Sequence, residues 1–198
     1  MQPVSKEDVM TALRCDADPD FDQLANYVRV YNGNAMDVVY SDPDTSAQVF
    51  LGGNDGAKLA TAANIQCVVY ATHSSPCTSF PDIRCLQFKV DKWKEACSLD
   101  PTTDEVAEFF EPAMAFIDNA LASGQNVLVH CKAGAHRAPC IVIAFLMRRL
   151  CITREQAITN VHSARRQVDV NVLNRSHFVT LLDSWDAHCR TNSNKILN

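Results

Sequence analysis

Cys131 and Arg137 stand six positions apart and enclose a short loop that contains Gly134. A thiolate is a strong nucleophile, and the planar guanidinium of an arginine can hold two oxygens of one phosphate group. If the loop curls, both side chains can face the same tetrahedral anion. The pair therefore predicts attack by the Cys131 sulfur on a phosphate ester, with Arg137 and the loop amides holding the negative charge that develops.

The flanking residues predict how this loop is positioned. Val127, Leu128 and Val129 form an apolar run that suits a strand buried on both faces of a parallel sheet. A helix is predicted to start near Ala138, with Pro139 in its first turn. The loop would then lie at a helix N-terminus, where unpaired N–H groups attract anions and stabilise a thiolate. The predicted phosphate-binding residues are those of the loop after the cysteine: Lys132, Ala133, Gly134, Ala135, His136 and Arg137.

This strand, Cys-x5-Arg loop and helix resemble the signature of the cysteine-dependent protein tyrosine phosphatases, and within them the compact dual-specificity group. The order of elements from Val49-Phe50-Leu51-Gly52 to the last predicted helix is also similar to that domain. The resemblance implies Cys131 as the nucleophile, Arg137 as the phosphate clamp, an upstream aspartate as the general acid, and no metal or other cofactor. A rhodanese-like sulfurtransferase is the nearest rival, and His130 and Arg137 favour the phosphatase.

Two aspartates are candidates for the general acid that would protonate the leaving oxygen. Asp91 directly follows an alternating segment that predicts a strand ending at Val90, which would fix it near the loop. Asp100 better fits the family's usual separation in sequence between the acid and the cysteine. Its presence is explained equally simply if it is the N-cap of a helix that begins at Pro101. We favour Asp91 as the catalytic acid and keep Asp100 as the alternative.

The sequence departs from the family pattern at two positions of the loop region. Ala138 stands where the family usually has a serine or threonine, whose hydroxyl helps the sulfur to leave, so its absence predicts slow breakdown of cysteinyl-phosphate. His136 could add positive charge to the loop, or its side chain could point away to solvent. The plant glucan phosphatases share the Arg-Ala-Pro sequence, but no carbohydrate-binding domain is evident here.

Strands alternating with helices predict an α/β fold: a mostly parallel central sheet flanked by helices, as in dual-specificity phosphatases. We expect residues 1–46 to be an N-terminal extension that packs on the domain, residues 47–190 to be the catalytic domain, and residues 191–198 to be a flexible tail. A helix is expected over residues 103–122, kinked or divided by Pro112. Thr153 and Gln156 predict a capping box that opens a helix ending near Arg166.

Composition limits the compartment and the partners. The chain has 198 residues, a net charge of −5 and no basic block, which argues against nucleic acid as a partner. Its nine scattered cysteines argue against a disulfide framework and favour a reducing compartment, the cytoplasm or the nucleus. The N-terminus does not resemble a secretory signal, and the apolar run ending at Met147 is too short to span a bilayer. We therefore expect no membrane partner, and we also expect the protein to be a monomer.

The sequence thus predicts a phosphatase that hydrolyses phosphotyrosine, phosphoserine or phosphothreonine in phosphorylated proteins. Two alternatives remain open at this stage. One is a phosphatase of a non-protein ester, such as a phosphoglucan or a phosphoinositide. The other is a slow phosphatase or pseudophosphatase that mainly binds phosphorylated partners.

Overall fold

A computed structural model describes residues 34–71, 82–169 and 178–196. The spacing of apolar residues between Phe21 and Tyr31 predicts a helix that lies outside these residues. Asn171, for which the family resemblance suggests support of the loop and an ordinary turn role is the alternative, lies outside them too. Among the residues described, no helix is both long enough and apolar enough to cross a bilayer.

The centre of the fold is one five-stranded sheet. In chain order its strands are β1 (Met36–Ser41), β2 (Gln48–Gly52), β3 (Cys67–Tyr70), β4 (Arg84–Gln87) and β5 (Val127–His130), and their spatial order is β1-β2-β5-β3-β4. All neighbouring pairs are parallel except β1 and β2, which are antiparallel. The expected α/β fold with a mostly parallel sheet is therefore confirmed. Strand β5 is central, so the loop that follows it starts from the middle of the sheet.

Helices cover the two faces of the sheet. They are α1 (Asn54–Lys58), α2 (Trp93–Ala96), α3 (Thr103–Ala122), α4 (Arg137–Leu150), α5 (Arg154–Ala164) and α6 (Phe178–Ile196). Along β5, Val127 and Val129 face the larger core, whereas Leu128 joins the smaller core on the opposite face. This alternation is the period of two that a strand imposes on its side chains, and it explains why the whole apolar run is buried.

The ends of the helices follow from local capping. Thr102 and Glu105 form a reciprocal capping box at the start of α3, and Thr153 and Gln156 form the predicted one at the start of α5. Gly124, just after α3, has φ +69°, a left-handed conformation that glycine adopts without strain. Helix α3 continues through Pro112 as a single element, so of the expected kink or division, the division is wrong.

Four other expectations need correction. Residues 36–41 were assigned to an N-terminal extension, but they form β1, an edge strand of the sheet itself. Strand β4 ends at Gln87, and Val90 begins a 3₁₀ turn instead of ending a strand. Helix α5 ends at Ala164, two residues before the predicted Arg166. Helix α6 extends through Ile196, so most of the predicted tail at residues 191–198 is helical.

Candidate active site

The predicted catalytic loop lies between the central strand and a helix. Strand β5 ends at His130, residues 131–136 form the loop, and α4 begins at Arg137, one residue before the predicted start. His136 is the N-cap of α4, and its side chain makes no capping hydrogen bond. The loop therefore occupies the position at which strand carboxyl ends and a helix N-terminus together favour an anion.

Cys131 lies at the base of this loop and is 3% exposed. Its Sγ atom accepts a hydrogen bond from the backbone N–H of Gly134 at 3.2 Å. A contact of this kind requires the chain to turn back over the sulfur within three residues. The bond places a backbone donor directly against the sulfur of the predicted nucleophile.

Three loop carbonyls are held from outside the loop. The Lys132 oxygen accepts from Asn54 N–H at 3.0 Å, and the Ala135 oxygen accepts from Asp169 N–H at 3.1 Å. The Gly134 oxygen accepts from Arg165 Nε at 3.2 Å. Because a peptide unit is planar and trans, the N–H following each carbonyl points the opposite way, which is into the loop. These external bonds therefore hold the loop N–H groups in an orientation that suits a bound anion, and the loop forms an anion cradle.

Arg165 is a buried residue that anchors the loop and that the sequence did not reveal. Its side chain is 1% exposed and forms an ion pair with Asp37 of β1 at 2.6 Å. The same guanidinium donates to the Asn34 carbonyl oxygen at 3.0 Å, in addition to that of Gly134. The only signal was the pair Arg165-Arg166 after a predicted helix, and nothing in that pair marks Arg165 as the buried one.

Gly134 allows the loop to pass close to β2. Its φ is +69°, and a Cβ atom there would lie 2.5 Å from the Gly52 carbonyl oxygen. We expect Gly134→Ala to destabilise the fold by clearly more than the ~1 kcal/mol of left-handed strain, and to weaken inhibition by inorganic phosphate. Urea unfolding and the inhibition constant for phosphate measure the two effects.

Gly124 offers a matched control for this substitution. It has the same φ of +69°, but a Cβ atom there would meet nothing within 4 Å. Gly124→Ala therefore carries the backbone strain without the clash and should leave phosphate inhibition unchanged. Equal losses of stability in the two variants would show that the approach of Gly134 to β2 does not matter.

Of the two candidate acids, the structure places Asp91 beside the loop. Its carboxylate lies 3.8 Å from Arg137 Nη1, and both side chains are partly buried, at 24% and 14% exposure. Asp100 is exposed in the loop before α3, where its carbonyl accepts from Ser98 Oγ. The predicted reason for the position of Asp91 was wrong, since a 3₁₀ turn over Val90–Lys92 carries it instead of a strand end.

The two histidines around the loop have different environments. His136 does not point to solvent: its Nε2 atom lies 3.6 Å from Asp169, and its side chain is 15% exposed. His130 is fully buried and stacks on Tyr70, with ring centroids 6.4 Å apart. Burial lowers the pKa of His130 to about 4, against a smaller opposing effect of the Cys131 backbone, so the ring is neutral at physiological pH. Neither ring nitrogen makes a well-formed hydrogen bond to the residues described.

Three further residues can be placed. Ala138 is completely buried in the first turn of α4. Trp93, two residues after Asp91, belongs to the hydrophobic core. Cys85 is disulfide-bonded, so the expectation against disulfides does not hold for this cysteine.

Comparison with known proteins places these features in a family. The model of the dual specificity phosphatase catalytic domain matches residues 49–185. MAP kinase phosphatase with leucine-rich repeats protein 3 of Dictyostelium discoideum is 31% identical over 124 residues, which are 62% of this chain but only 14% of that protein. Its other domains and its biological role therefore do not transfer to this chain.

Solved structures share the fold at low sequence identity. Human DUSP28 aligns with a TM-score of 0.60 and 22% identity, over 79% of this chain and 96% of that one. PTPMT1 in complex with PI(5)P aligns with a TM-score of 0.54 and 20% identity, over 75% and 94% of the two chains. With the family match spanning more than half of its length, this chain belongs to the dual-specificity phosphatases.

Proposed function

We propose that this protein hydrolyses phosphate monoesters on phosphorylated proteins through a cysteinyl-phosphate intermediate on Cys131. The observation that carries the proposal is the hydrogen bond from the Gly134 amide to the Cys131 sulfur, which joins nucleophile and anion cradle in one loop. Arg137 at the start of α4 completes the loop and lies beside a carboxylate that can serve as the acid.

The proposed reaction has two steps. First, the Cys131 thiolate attacks phosphorus, the bond from phosphorus to the ester oxygen breaks, and protonated Asp91 gives its proton to that oxygen. In the second step Asp91, now a carboxylate, accepts a proton from water while the water oxygen attacks phosphorus. The S–P bond breaks, and inorganic phosphate and the thiolate are released. In both steps Arg137 and the loop amides hold the equatorial oxygens.

The role of Asp91 predicts a dependence on the leaving group. Asp91→Asn should lower kcat/KM for phenyl phosphate by roughly 10²-fold, because phenolate is a strongly basic leaving group that needs a proton as it departs. The loss on p-nitrophenyl phosphate should be much smaller, since nitrophenolate leaves readily without a proton. Asp100→Asn is the matched control and should change neither substrate appreciably. If Asp100→Asn shows the larger loss on phenyl phosphate, the assignment of Asp91 is wrong.

Ala138 predicts which step limits turnover. Without a hydroxyl at this position the departing sulfur lacks the additional donor that a serine or threonine would supply beside the Gly134 amide, so hydrolysis of the intermediate should be slower than its formation. We expect a burst of nitrophenol followed by a slow steady state, and a several-fold faster steady state in Ala138→Ser with the burst rate unchanged. Stopped-flow absorbance measures both phases. An unaltered steady state in Ala138→Ser would contradict this role for the missing hydroxyl.

A phosphoinositide is the second candidate substrate, because the structural neighbour PTPMT1 was solved in complex with PI(5)P. Membership of the dual-specificity phosphatases favours phosphorylated proteins as the substrate. Release of phosphate from phosphotyrosine, phosphoserine and phosphothreonine peptides should be compared with release from short-chain phosphoinositides at equal concentration. A higher kcat/KM on the peptides supports the proposal. A clear preference for the lipids contradicts it and favours a phosphoinositide as the substrate.

A further inference from the structure

A cavity lies at the far end of α4 from the catalytic loop. It has a volume of about 300 Å³ and is lined by residues at the end of α4, the start of α5 and the middle turns of α6. Two cysteines, Cys151 and Cys189, line it together with Asp186 and Arg190. Nothing in the proposed hydrolytic reaction uses these two thiols, so they need a separate account.

The packing of α4 against α6 brings the two cysteines to one cavity. Trp185 Nε1 donates to the Ala144 carbonyl oxygen at 2.9 Å, which fixes the register of the two helices. Cys189 lies one turn beyond Trp185, and Cys151 immediately follows the last turn of α4. Both side chains line the cavity between these two helices. Both are thiols in the structure.

The two thiols differ in access, which gives them different chemical roles. Cys151 is exposed at the end of α4, with φ +52°. Cys189 is 8% exposed. Burial raises the pKa of the Cys189 thiol to about 12, and the cation of Arg148 opposes this effect only in part. An external reagent should therefore meet Cys151 first, and Cys189 should react afterwards from inside the cavity.

We propose that Cys151 and Cys189 form a redox-active dithiol site, which a low-molecular-weight disulfide converts into an intramolecular disulfide between α4 and α6. In the first step the Cys151 thiolate attacks one sulfur of the reagent, the reagent's S–S bond breaks, and one thiolate leaves. In the second step Cys189 loses its proton and attacks the Cys151 sulfur, which releases the second thiolate. Two protein thiols are oxidised and one reagent disulfide is reduced to two thiols.

Peptide mapping tests the pair directly. The full-length protein is treated with oxidised glutathione, alkylated, digested with trypsin and analysed by mass spectrometry. Cleavage after arginine places Cys151 in the peptide of residues 150–154 and Cys189 in the peptide of residues 176–190. We expect these two peptides to appear linked, to separate on addition of dithiothreitol, and to be preceded by a glutathione adduct on the Cys151 peptide. The oxidised protein should also melt at a higher temperature, because the bond constrains the unfolded chain.

Cys151→Ser serves as the control, because it removes the exposed thiol without disturbing the core. In this variant the linked peptides and the rise in melting temperature should both disappear, while the phosphatase activity before oxidation stays unchanged. The proposal is overturned if wild type yields only separate glutathione adducts, or if Cys189 is linked to a cysteine other than Cys151.

Discussion

Cys131→Ser is expected to lower kcat for p-nitrophenyl phosphate by on the order of 10⁴-fold or more, which is the scale of losing a nucleophile from a preorganised site. The physical reason is that a serine hydroxyl does not ionise near neutral pH, so no anion is present to attack phosphorus. The loop itself should survive, because the Gly134 amide can donate to a hydroxyl oxygen in place of sulfur. Inorganic phosphate should therefore still protect the variant against thermal unfolding.

Cys151→Ser is the matched control for this prediction, since it makes the same atomic change at an exposed thiol remote from the loop. It should retain full activity without added metal. Equal turnover by wild type and Cys131→Ser would contradict a cysteine nucleophile. If wild type itself shows no turnover but binds phosphopeptides, the chain is a binding module of the same fold.

Arg165→Met should be the most damaging change outside the loop. It leaves the Asp37 carboxylate, at 13% exposure, without its ion-pair partner and the Gly134 carbonyl without its donor. Breaking a buried ion pair from one side costs about 3–5 kcal/mol of unfolding free energy. Looser anchoring of the cradle should in addition lower kcat/KM by about 10²-fold. Urea unfolding and steady-state kinetics, at a temperature where the variant is folded, measure the two losses.

Two further variants separate stability from positioning. Adding Asp37→Asn to Arg165→Met removes the unpaired carboxylate and should restore much of the stability, but the activity loss should remain because Gly134 still lacks its donor. Arg166→Met changes the exposed neighbouring arginine and should alter neither quantity strongly. Recovery of activity together with stability in the double variant would show that Arg165 has only a structural role.

The parts of the fold that were predictable carry their signal within a short segment. The apolar run of β5, Cys131, Arg137 and the start of α4 are contiguous, and a buried strand before a helix is visible from hydrophobic periodicity alone. The signal for the capping box was equally local, because Thr153 and Gln156 are only three positions apart. The family resemblance then supplied the expected roles of Cys131 and Arg137.

What could not be predicted depends on contacts between distant segments. Asp37 and Arg165 are 128 positions apart, and no local pattern indicates that they meet. Strand β1 was missed because an exposed antiparallel edge strand has a weak apolar signal, with Val38 at 40% exposure. The position of Asp91 was anticipated for an incorrect reason, since strand and 3₁₀ turn are difficult to distinguish in a run as short as Leu86 to Val90.

The most direct test of the central claim is detection of the phosphate group on Cys131 itself. Wild-type protein is mixed with p-nitrophenyl phosphate, quenched within the burst and analysed by mass spectrometry under conditions that preserve thiophosphate esters. The account predicts a phosphorylated Cys131 that is present in wild type, less abundant in Ala138→Ser and absent in Cys131→Ser. Sustained release of nitrophenol with no phosphate on Cys131, or with phosphate on another residue, would contradict it.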